Sequence, residues 1–172
     1  MKFNHAIYGR FEVTEQVLLD LINSKPIQRL KGINQNGVQH LITKIQDFTR
    51  FDHSIGVMLL LRRFGASVEE QIAGLLHDVS HTAFSHVGDQ VFDNLEHEFH
   101  ETVKERIVIQ SEIPEILEKH GFSVEKALNE KQFGLLERDL PDLCADRLDY
   151  SFESILQDLD FGQKKLQELV SS

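Results

Sequence analysis

Two consecutive apolar segments, DHSIGVMLLLRRFG and SVEEQIAGLLHDVSH, restrict the fold of this chain more than any other feature of its sequence. The first predicts a buried helix that ends at Gly65, because glycine tolerates the positive φ common just after a helix. In the second, apolar residues recur with a helical period, and Ser67 with Glu70 predicts a capping box at its start. Because only the short FGAS turn separates them, we expect the two helices to pack antiparallel.

The rest of the chain adds helices and almost no strand-like alternation. A hairpin or extended arm is expected around Gly9. Shorter helices are predicted from Thr14, after Pro26, and in the segments EHEFHETVKERIVIQ, IPEILEKHG and SVEKALNE. A longer helix is predicted in LPDLCADRLDYSFESILQDL, with Asp139 as its cap and Pro141 in its first turn. The predicted fold class is therefore all-α, as a single helical bundle.

Composition narrows the setting in which the chain works. Its 172 residues, 41% of them hydrophobic, suffice for one domain with a real core. No apolar run is long enough to span a bilayer, and the N-terminal residues lack a signal-peptide pattern, so no membrane partner is expected. The single cysteine, Cys144, excludes an intrachain disulfide and fits a small core residue in a reducing compartment. The expected location is cytoplasmic.

Charge indicates the kind of ligand. The formal net charge is −10, which disfavours a duplex nucleic-acid partner but leaves a small anionic ligand open. The chain has nine histidines, and six of them fall between Phe51 and Glu101. Such a concentration of titratable groups inside apolar helices indicates a chemical site.

A candidate metal site follows from four residues. His77 and Asp78 follow an apolar run in the last turn or two of the second helix, where an unpaired charge would be costly. A divalent metal satisfies an imidazole and a carboxylate together. In an antiparallel pair, His53 at the start of the first helix lies near them, and Asp146 comes from the long late helix. Each residue alone has an ordinary structural explanation, but their combination and order favour one metal with open positions for water and substrate.

These residues, in this order, resemble the H…HD…D pattern of HD-domain metal-dependent phosphohydrolases. The likeness is strongest to the deoxynucleoside triphosphate triphosphohydrolases of that superfamily. Its segments are IQRLKGINQNG, TRFDHSIGVMLL, AGLLHDVSHTAFSHVGD, the HE at 97–98 and CADRLDYSF, which together cover 27–152. The resemblance implies a single HD domain over 1–172, with an N-terminal arm and helix in 1–25, the core in 26–160 and a tail in 161–172.

The resemblance also assigns roles to residues. It implies that the metal ligands are His53, His77, Asp78 and Asp146. It implies substrate contacts to the sugar from Gln35 and Tyr150, and to phosphate from Arg50 and Arg147. The implied catalytic residues near the scissile phosphate are His81, His86, Asp89 and His97. Spacing agrees in two places, since Asp146 and Tyr150 share a helix face, and Asp89 is placed to orient His86.

The chain departs from the family pattern in its central loop. Ser80, Thr82 and Ala83 replace two glycines and a proline, and Asp52 replaces a glutamate. The sequence stops at Ser172, whereas longer members of the family continue with a region that helps to build the nucleotide pocket. The resemblance therefore does not carry their substrate specificity to this chain.

The expected activity is metal-assisted hydrolysis of a nucleotide or another small phosphoester. The cofactor would be one divalent ion among Mn, Fe, Mg, Co, Ni and Zn. A two-metal site using His97 and His100 is less favoured, because no adjacent histidine pair occurs. A homodimer is the oligomeric state that the superfamily suggests.

Two other functional classes remain open at this point. A catalytically weak or inactive nucleotide sensor or interaction module would bind its ligand without turnover, and the altered loop motivates this alternative. A purely structural helical domain would bind no metal, and the ligand set disfavours it.

Overall fold

The computed structural model describes residues 1–37, 48–82, 99–157, 162 and 165–168, with 99–102 described by their backbone alone. A hairpin of β1 (Lys2–His5) and β2 (Gly9–Glu12) comes first. The helices that follow are α1 (Gln16–Ile22), α2 (Lys25–Arg29), α3 (Arg50–Arg63), α4 (Val68–Leu76), α5 (Phe99–Ile109), α6 (Ile113–Lys119), α7 (Val124–Leu128) and α8 (Ala145–Gln157). Short 3₁₀ turns lie at Leu30–Gly32 and Glu130–Gln132. The all-α prediction is confirmed.

The hairpin forms around Gly9, as predicted, and is attached to the helices. Gly9 has φ 70°, which suits the tight turn. The rings of Phe3 and Phe11 stack across the two strands, 5.2 Å between centroids. His5 donates from Nε2 to the carbonyl oxygen of Asp52 at 3.0 Å. The hairpin is therefore anchored to the first turn of α3.

Helix α3 is the centre of the molecule. Its apolar residues are buried on all sides, from Ile55 through Leu61, which is the pattern of a helix surrounded by its neighbours. Thr49 caps its start: its Oγ1 accepts from the backbone N–H of Asp52, and the Asp52 carboxylate accepts from the Thr49 backbone N–H in return. α4 and α8 pack against α3. This arrangement brings α4 and α8 to the same central helix.

The start of α4 differs in one respect from the prediction. Ser67 accepts from the Glu70 backbone N–H at 3.1 Å, so half of the predicted capping box is present. The carboxylate of Glu70 instead accepts from the backbone N–H groups of Leu135 and Leu136, at 2.9 and 3.2 Å. Because Glu70 is buried, its carboxylate needs hydrogen-bond donors, and these two distant N–H groups supply them in place of the N–H at the start of α4.

Two helix boundaries were predicted wrongly. α4 ends at Leu76, with His77 as its C-cap, so Asp78 lies in the turn after the helix, whereas it was expected in the last turn or two of the helix itself. α8 begins at Ala145 and not near Asp139. Residues 139–143 are exposed, with Leu140 at 82% of its full accessibility, and so they bury no apolar face that would stabilise a helix.

In the described part of the chain, no helix is both long and apolar enough to cross a membrane.

Candidate metal centre

The start of α3 and the end of α4 meet at two histidines. His53 lies in the first turn of α3, and His77 is the C-cap of α4. Their Nε2 atoms are 3.3 Å apart, and their rings meet edge to face. The antiparallel packing expected from the FGAS turn is what places them together.

The first turn of α8 adds a carboxylate to the two imidazoles. Asp146 Oδ1 lies 2.9 Å from His53 Nε2 and 3.5 Å from His77 Nε2. Asp78 completes the group, with its carboxylate oxygens 3.9 Å from His53 Nε2 and 3.6 Å from His77 Nε2. The structure thus brings together all four residues predicted as metal ligands, which we call the His53 cluster.

Hydrogen bonds at the far side of each ring orient the two histidines. His77 Nδ1 lies 2.6 Å from the carbonyl oxygen of Gly74, which can only accept, so Nδ1 carries the proton. His53 Nδ1 lies 2.8 Å from Asp149 Oδ2. A carboxylate oxygen also only accepts, so Nδ1 of His53 carries its proton too. Nε2 of each ring therefore faces Asp146.

This donor set fits a divalent cation. Two imidazole nitrogens that face each other at 3.3 Å cannot bond through their lone pairs, so a proton or a cation must lie between them. Imidazole nitrogen with carboxylate oxygen suits Zn, Mn, Fe, Co and Ni, and the carboxylates also suit Mg. The described residues therefore contain a group that can hold a metal, and its centre is His53, His77 and Asp146.

The electrostatics of the cluster keep its acids ionised. Burial acts to raise the pKa of Asp146, but hydrogen bonds with His53 and His77 outweigh it and hold that pKa far below its usual range. Burial is likewise outweighed at Asp78, whose pKa is lowered by the charge of His77, by the hydrogen bond with His81 and by the charge of Arg50. Burial favours neutral His53, yet its bonds to the acids raise its pKa well above the usual value.

Two residues predicted to act near phosphate lie against Asp78. Arg50 donates from Nη1 to Asp78 Oδ2 at 2.6 Å, and both side chains are buried. His81 Nε2 lies 3.2 Å from Asp78 Oδ1. Arg29, which the sequence did not single out, donates to the carbonyl oxygens of Val79 and His81 at 2.8 and 3.0 Å. Arg29 therefore holds the turn that presents Asp78 and His81.

Gln35 lies next to the same end of α3. Its backbone N–H donates to the carbonyl oxygen of Phe48, and the backbone N–H of Arg50 donates to Ile33, both at 2.8 Å. The side chain of Gln35 is buried, and its Oε1 has no hydrogen-bond partner within the described ranges. A buried acceptor of this kind is suited to a donor supplied by a ligand.

The remaining predicted site residues have no described contact with the His53 cluster beyond their place on α8, or lie outside the described residues. Arg147 follows Asp146 but pairs with Glu137 at 3.1 Å and donates to Cys144 Sγ at 3.2 Å. Tyr150 lies one turn after Asp146 on α8 and is half-exposed. The roles of both residues stay predictions. The predicted catalytic residues His86, Asp89 and His97 lie outside the described residues, as does the side chain of His100.

Sequence reasoning missed a second layer of acids behind the cluster. Asp149 and Glu153 are fully buried on α8, and the hydroxyl of Tyr8 donates to Asp149 Oδ1. Asp146, Asp149 and Glu153 follow a helical i, i+3, i+7 spacing, so they share one face. That spacing could have predicted a row of acids beside the metal ligand. The sequence analysis instead paired Asp146 with Tyr150, on the neighbouring face of the helix.

Comparison with known proteins places these residues in a family. The family model for the HD domain matches residues 50–151. The uncharacterized protein YdhJ of Bacillus subtilis is 47% identical over 169 residues, 98% of this chain and 51% of YdhJ. The metal-dependent phosphohydrolase cns2 of Cordyceps militaris is 42% identical over 167 residues, 96% of this chain and 48% of cns2. The deoxynucleoside triphosphate triphosphohydrolase SAMHD1 of Gallus gallus is 29% identical over 147 residues, 72% of this chain and 24% of SAMHD1.

A solved structure has the same architecture. The crystal structure of a hypothetical protein from Aquifex aeolicus matches with a TM-score of 0.75 and 28% sequence identity, over 97% of this chain and 50% of that one. The chain spans about half the length of YdhJ, cns2 and the Aquifex protein.

Proposed function

This chain belongs to the HD-domain family, and from that membership we propose that it is a metal-dependent phosphohydrolase of a deoxynucleotide, nucleotide or other small phosphoester. The observation that carries the proposal is the convergence of His53 Nε2, His77 Nε2 and Asp146 Oδ1 from three helices. The name of the Cordyceps relative supports the reaction class, and the name of the Gallus relative supports the nucleotide.

The four residues of the His53 cluster would hold the metal. Once bound there, the metal would polarise a phosphoryl oxygen of the substrate as a Lewis acid. The protein's own contribution is preorganisation, since Asp149 and Gly74 already direct the two imidazoles and Arg50 already positions Asp78.

Side chains around the cluster fit a phosphorylated ligand. Arg50 brings a guanidinium, a group that pairs well with phosphate oxygens, next to the carboxylate of Asp78. His81 lies beside Asp78, with Nε2 3.2 Å from Oδ1, and is placed to move a proton near the scissile bond. The buried Oε1 of Gln35 would accept from a sugar hydroxyl, which favours a nucleotide among small phosphoesters.

The test is anion-exchange chromatography of the products from a panel of nucleotides, incubated with the 172-residue chain and Mn²⁺. Wild type is compared with Asp146→Ala and with the control Asp142→Ala, whose carboxylate is exposed just before α8. We expect wild type and the control to release phosphate or triphosphate from one class of nucleotide, and Asp146→Ala to release none.

Two outcomes would contradict the proposal. Full turnover by Asp146→Ala would show that the reaction does not need the His53 cluster. Bound Mn²⁺ with no turnover of any substrate would favour the nucleotide-sensor alternative instead.

A further inference from the structure

We propose that Asp149 is a positioning residue of the metal centre, and that Tyr8 of the N-terminal hairpin region holds it in place. Asp149 would orient His53 from behind, so that Nε2 faces the metal and Nδ1 keeps its proton. The proposal rests on the proposed function, because it concerns the same metal centre.

The hydrogen bonds of Asp149 hold its carboxylate in one orientation. Its side chain is fully buried, and its two oxygens have different donors. Oδ2 accepts from His53 Nδ1 at 2.8 Å, and Oδ1 accepts from the hydroxyl of Tyr8. A carboxylate held at both oxygens cannot rotate freely, so it fixes the plane of the His53 ring.

The carboxylate differs from the acceptor behind the other histidine. His77 is oriented by the neutral carbonyl of Gly74, whereas His53 is oriented by a charged group. A carboxylate behind an imidazole raises the basicity of the opposite nitrogen and strengthens its bond to a metal. Burying a charge is costly, and the buried charge of Asp149 orients His53 but not His77.

Tyr8 reaches this position because the hairpin is tied to α3. His5 donates to the carbonyl oxygen of Asp52, the residue just before His53. Tyr8 is itself buried, and its ring lies 5.0 Å from the His5 ring. Residues of the N-terminal hairpin region therefore take part in the arrangement behind the cluster.

Gly56 makes the close approach of α8 possible. It lies one turn after His53 in α3, and a Cβ built there would be 2.1 Å from Asp149 Oδ1. Any side chain at this position would push the carboxylate away from His53. Gly56→Ala therefore displaces Asp149 without changing its chemistry, and this gives an independent test of position.

The experiment measures Mn²⁺ affinity by isothermal titration calorimetry for wild type, Asp149→Asn, Gly56→Ala and Tyr8→Phe. The control is Gly32→Ala, because a Cβ at Gly32 meets no atom within 4 Å. A second readout is the ¹H–¹⁵N NMR signal of the His53 Nδ1–H in the Zn²⁺-loaded protein, which reports its hydrogen-bond acceptor.

We expect Asp149→Asn to weaken Mn²⁺ binding by about 10–100-fold, the range for loss of a group that orients a metal ligand. Gly56→Ala should weaken binding in the same direction, Tyr8→Phe less, and Gly32→Ala not at all. The His53 Nδ1–H signal should shift in the first two variants. A merely structural role for Asp149 would lower stability without changing the Mn²⁺ affinity of the folded protein.

Wild-type Mn²⁺ affinity in Asp149→Asn, whatever its His53 signal, would overturn the positioning role and leave the metal centre intact. If circular dichroism shows that Asp149→Asn does not fold, Gly56→Ala decides by the same criterion. Absence of Mn²⁺ binding by wild type would instead overturn the proposed function, and the positioning role with it.

Discussion

Two His–Asp pairs in this molecule have the same contact distance and different surroundings. His53 Nε2 lies 2.9 Å from Asp146 Oδ1 at the centre of the fold, and His120 Nε2 lies 2.9 Å from Asp20 Oδ2 where α1 meets the end of α6. The His53 side chain is 1% exposed, and that of His120 is 20% exposed.

The partners of the two carboxylates explain the difference in chemistry. Asp20 also accepts from Gln16 Nε2 at 2.7 Å and from Lys119 Nζ at 3.1 Å, so hydrogen-bond donors already occupy it. Asp146 faces a second imidazole nitrogen, and Asp78 lies beside it. A His–Asp contact becomes a candidate metal site when further nitrogen and oxygen lone pairs converge on it.

The largest expected effect separates the two pairs by metal content. The double variant His77→Ala/Asp78→Asn removes two ligands of the His53 cluster and should lose stoichiometric Mn²⁺. Its affinity should fall by more than the roughly 100-fold that loss of an orienting group costs. The matched control His120→Ala/Asp20→Asn should keep wild-type metal content. The measurement is metal per chain by mass spectrometry after desalting. Retained metal in the first variant would show that the His53 cluster does not differ from the His120–Asp20 pair in metal binding.

Ion pairs at the two places should also differ in their contribution to stability. Arg50→Met leaves the buried carboxylate of Asp78 without its guanidinium and should lower the free energy of unfolding by about 3–5 kcal/mol. Lys119→Met removes a 67% exposed partner of Asp20 and should cost less than about 1 kcal/mol. Urea unfolding followed by circular dichroism measures both. Equal losses would show that burial does not distinguish the pairs.

The buried glutamate behind the His53 cluster, Glu153, should make the stability of the protein depend on pH. Burial, followed by the charge of Asp149, raises the pKa of Glu153 from 4.5 to about 9. The folded state then keeps a proton that the unfolded chain releases, so stability falls as pH rises from 4.5 to about 9. The slope from this group is at most about 1.4 kcal/mol per pH unit.

Glu153→Gln should flatten that slope, because glutamine has no proton to lose. The control Glu125→Gln changes an exposed glutamate on α7 and should leave the slope as in wild type. Urea unfolding at several pH values provides the measurement. A slope unchanged in Glu153→Gln would mean that Glu153 is already ionised at neutral pH.

The smallest expected effect has the opposite sign and belongs to the surface pair. Hydrogen bonds with His120, Gln16 and Lys119 hold the pKa of Asp20 below its usual range. Asp20 therefore contributes stability above the ordinary carboxyl pKa, and that contribution is lost as pH falls through the lowered value. Asp20→Asn should lower the melting temperature at pH 7 and less so in acid, by an amount equivalent to less than about 1 kcal/mol. The same loss at both pH values would contradict a charge effect.

Local patterns accounted for much of the fold. Helical period, the capping serine of α4 and the glycine after α3 are signals that span a few residues, and they predicted both helices. The threonine cap of α3 was not predicted. The short turn between these helices was enough to predict that His53 and His77 meet. The expectation that Asp146 joins them came from its place in an otherwise apolar helix and from the family resemblance.

The start of α8 depended on contacts distant in sequence. The backbone N–H of Ala145 donates to the carbonyl oxygen of Leu135 at 2.8 Å, and the backbone N–H of Leu135 donates to the carboxylate of Glu70 in α4. These contacts tie the segment before α8 to α4. No local propensity near Asp139 contains this information. The start of α8 was therefore decided by packing.

The sequence by itself determined the helical class, the order of the ligands and the antiparallel pair that joins two of them, because all three depend on local periodicity and short connections. Only the tertiary structure decided that Tyr8 would meet Asp149, 141 residues away, behind His53. It also decided which acids are buried, and burial sets the cost of charge and hence the pKa of Glu153. The physical reason is that desolvation depends on all the neighbours in space, whereas a sequence pattern records only the neighbours along the chain.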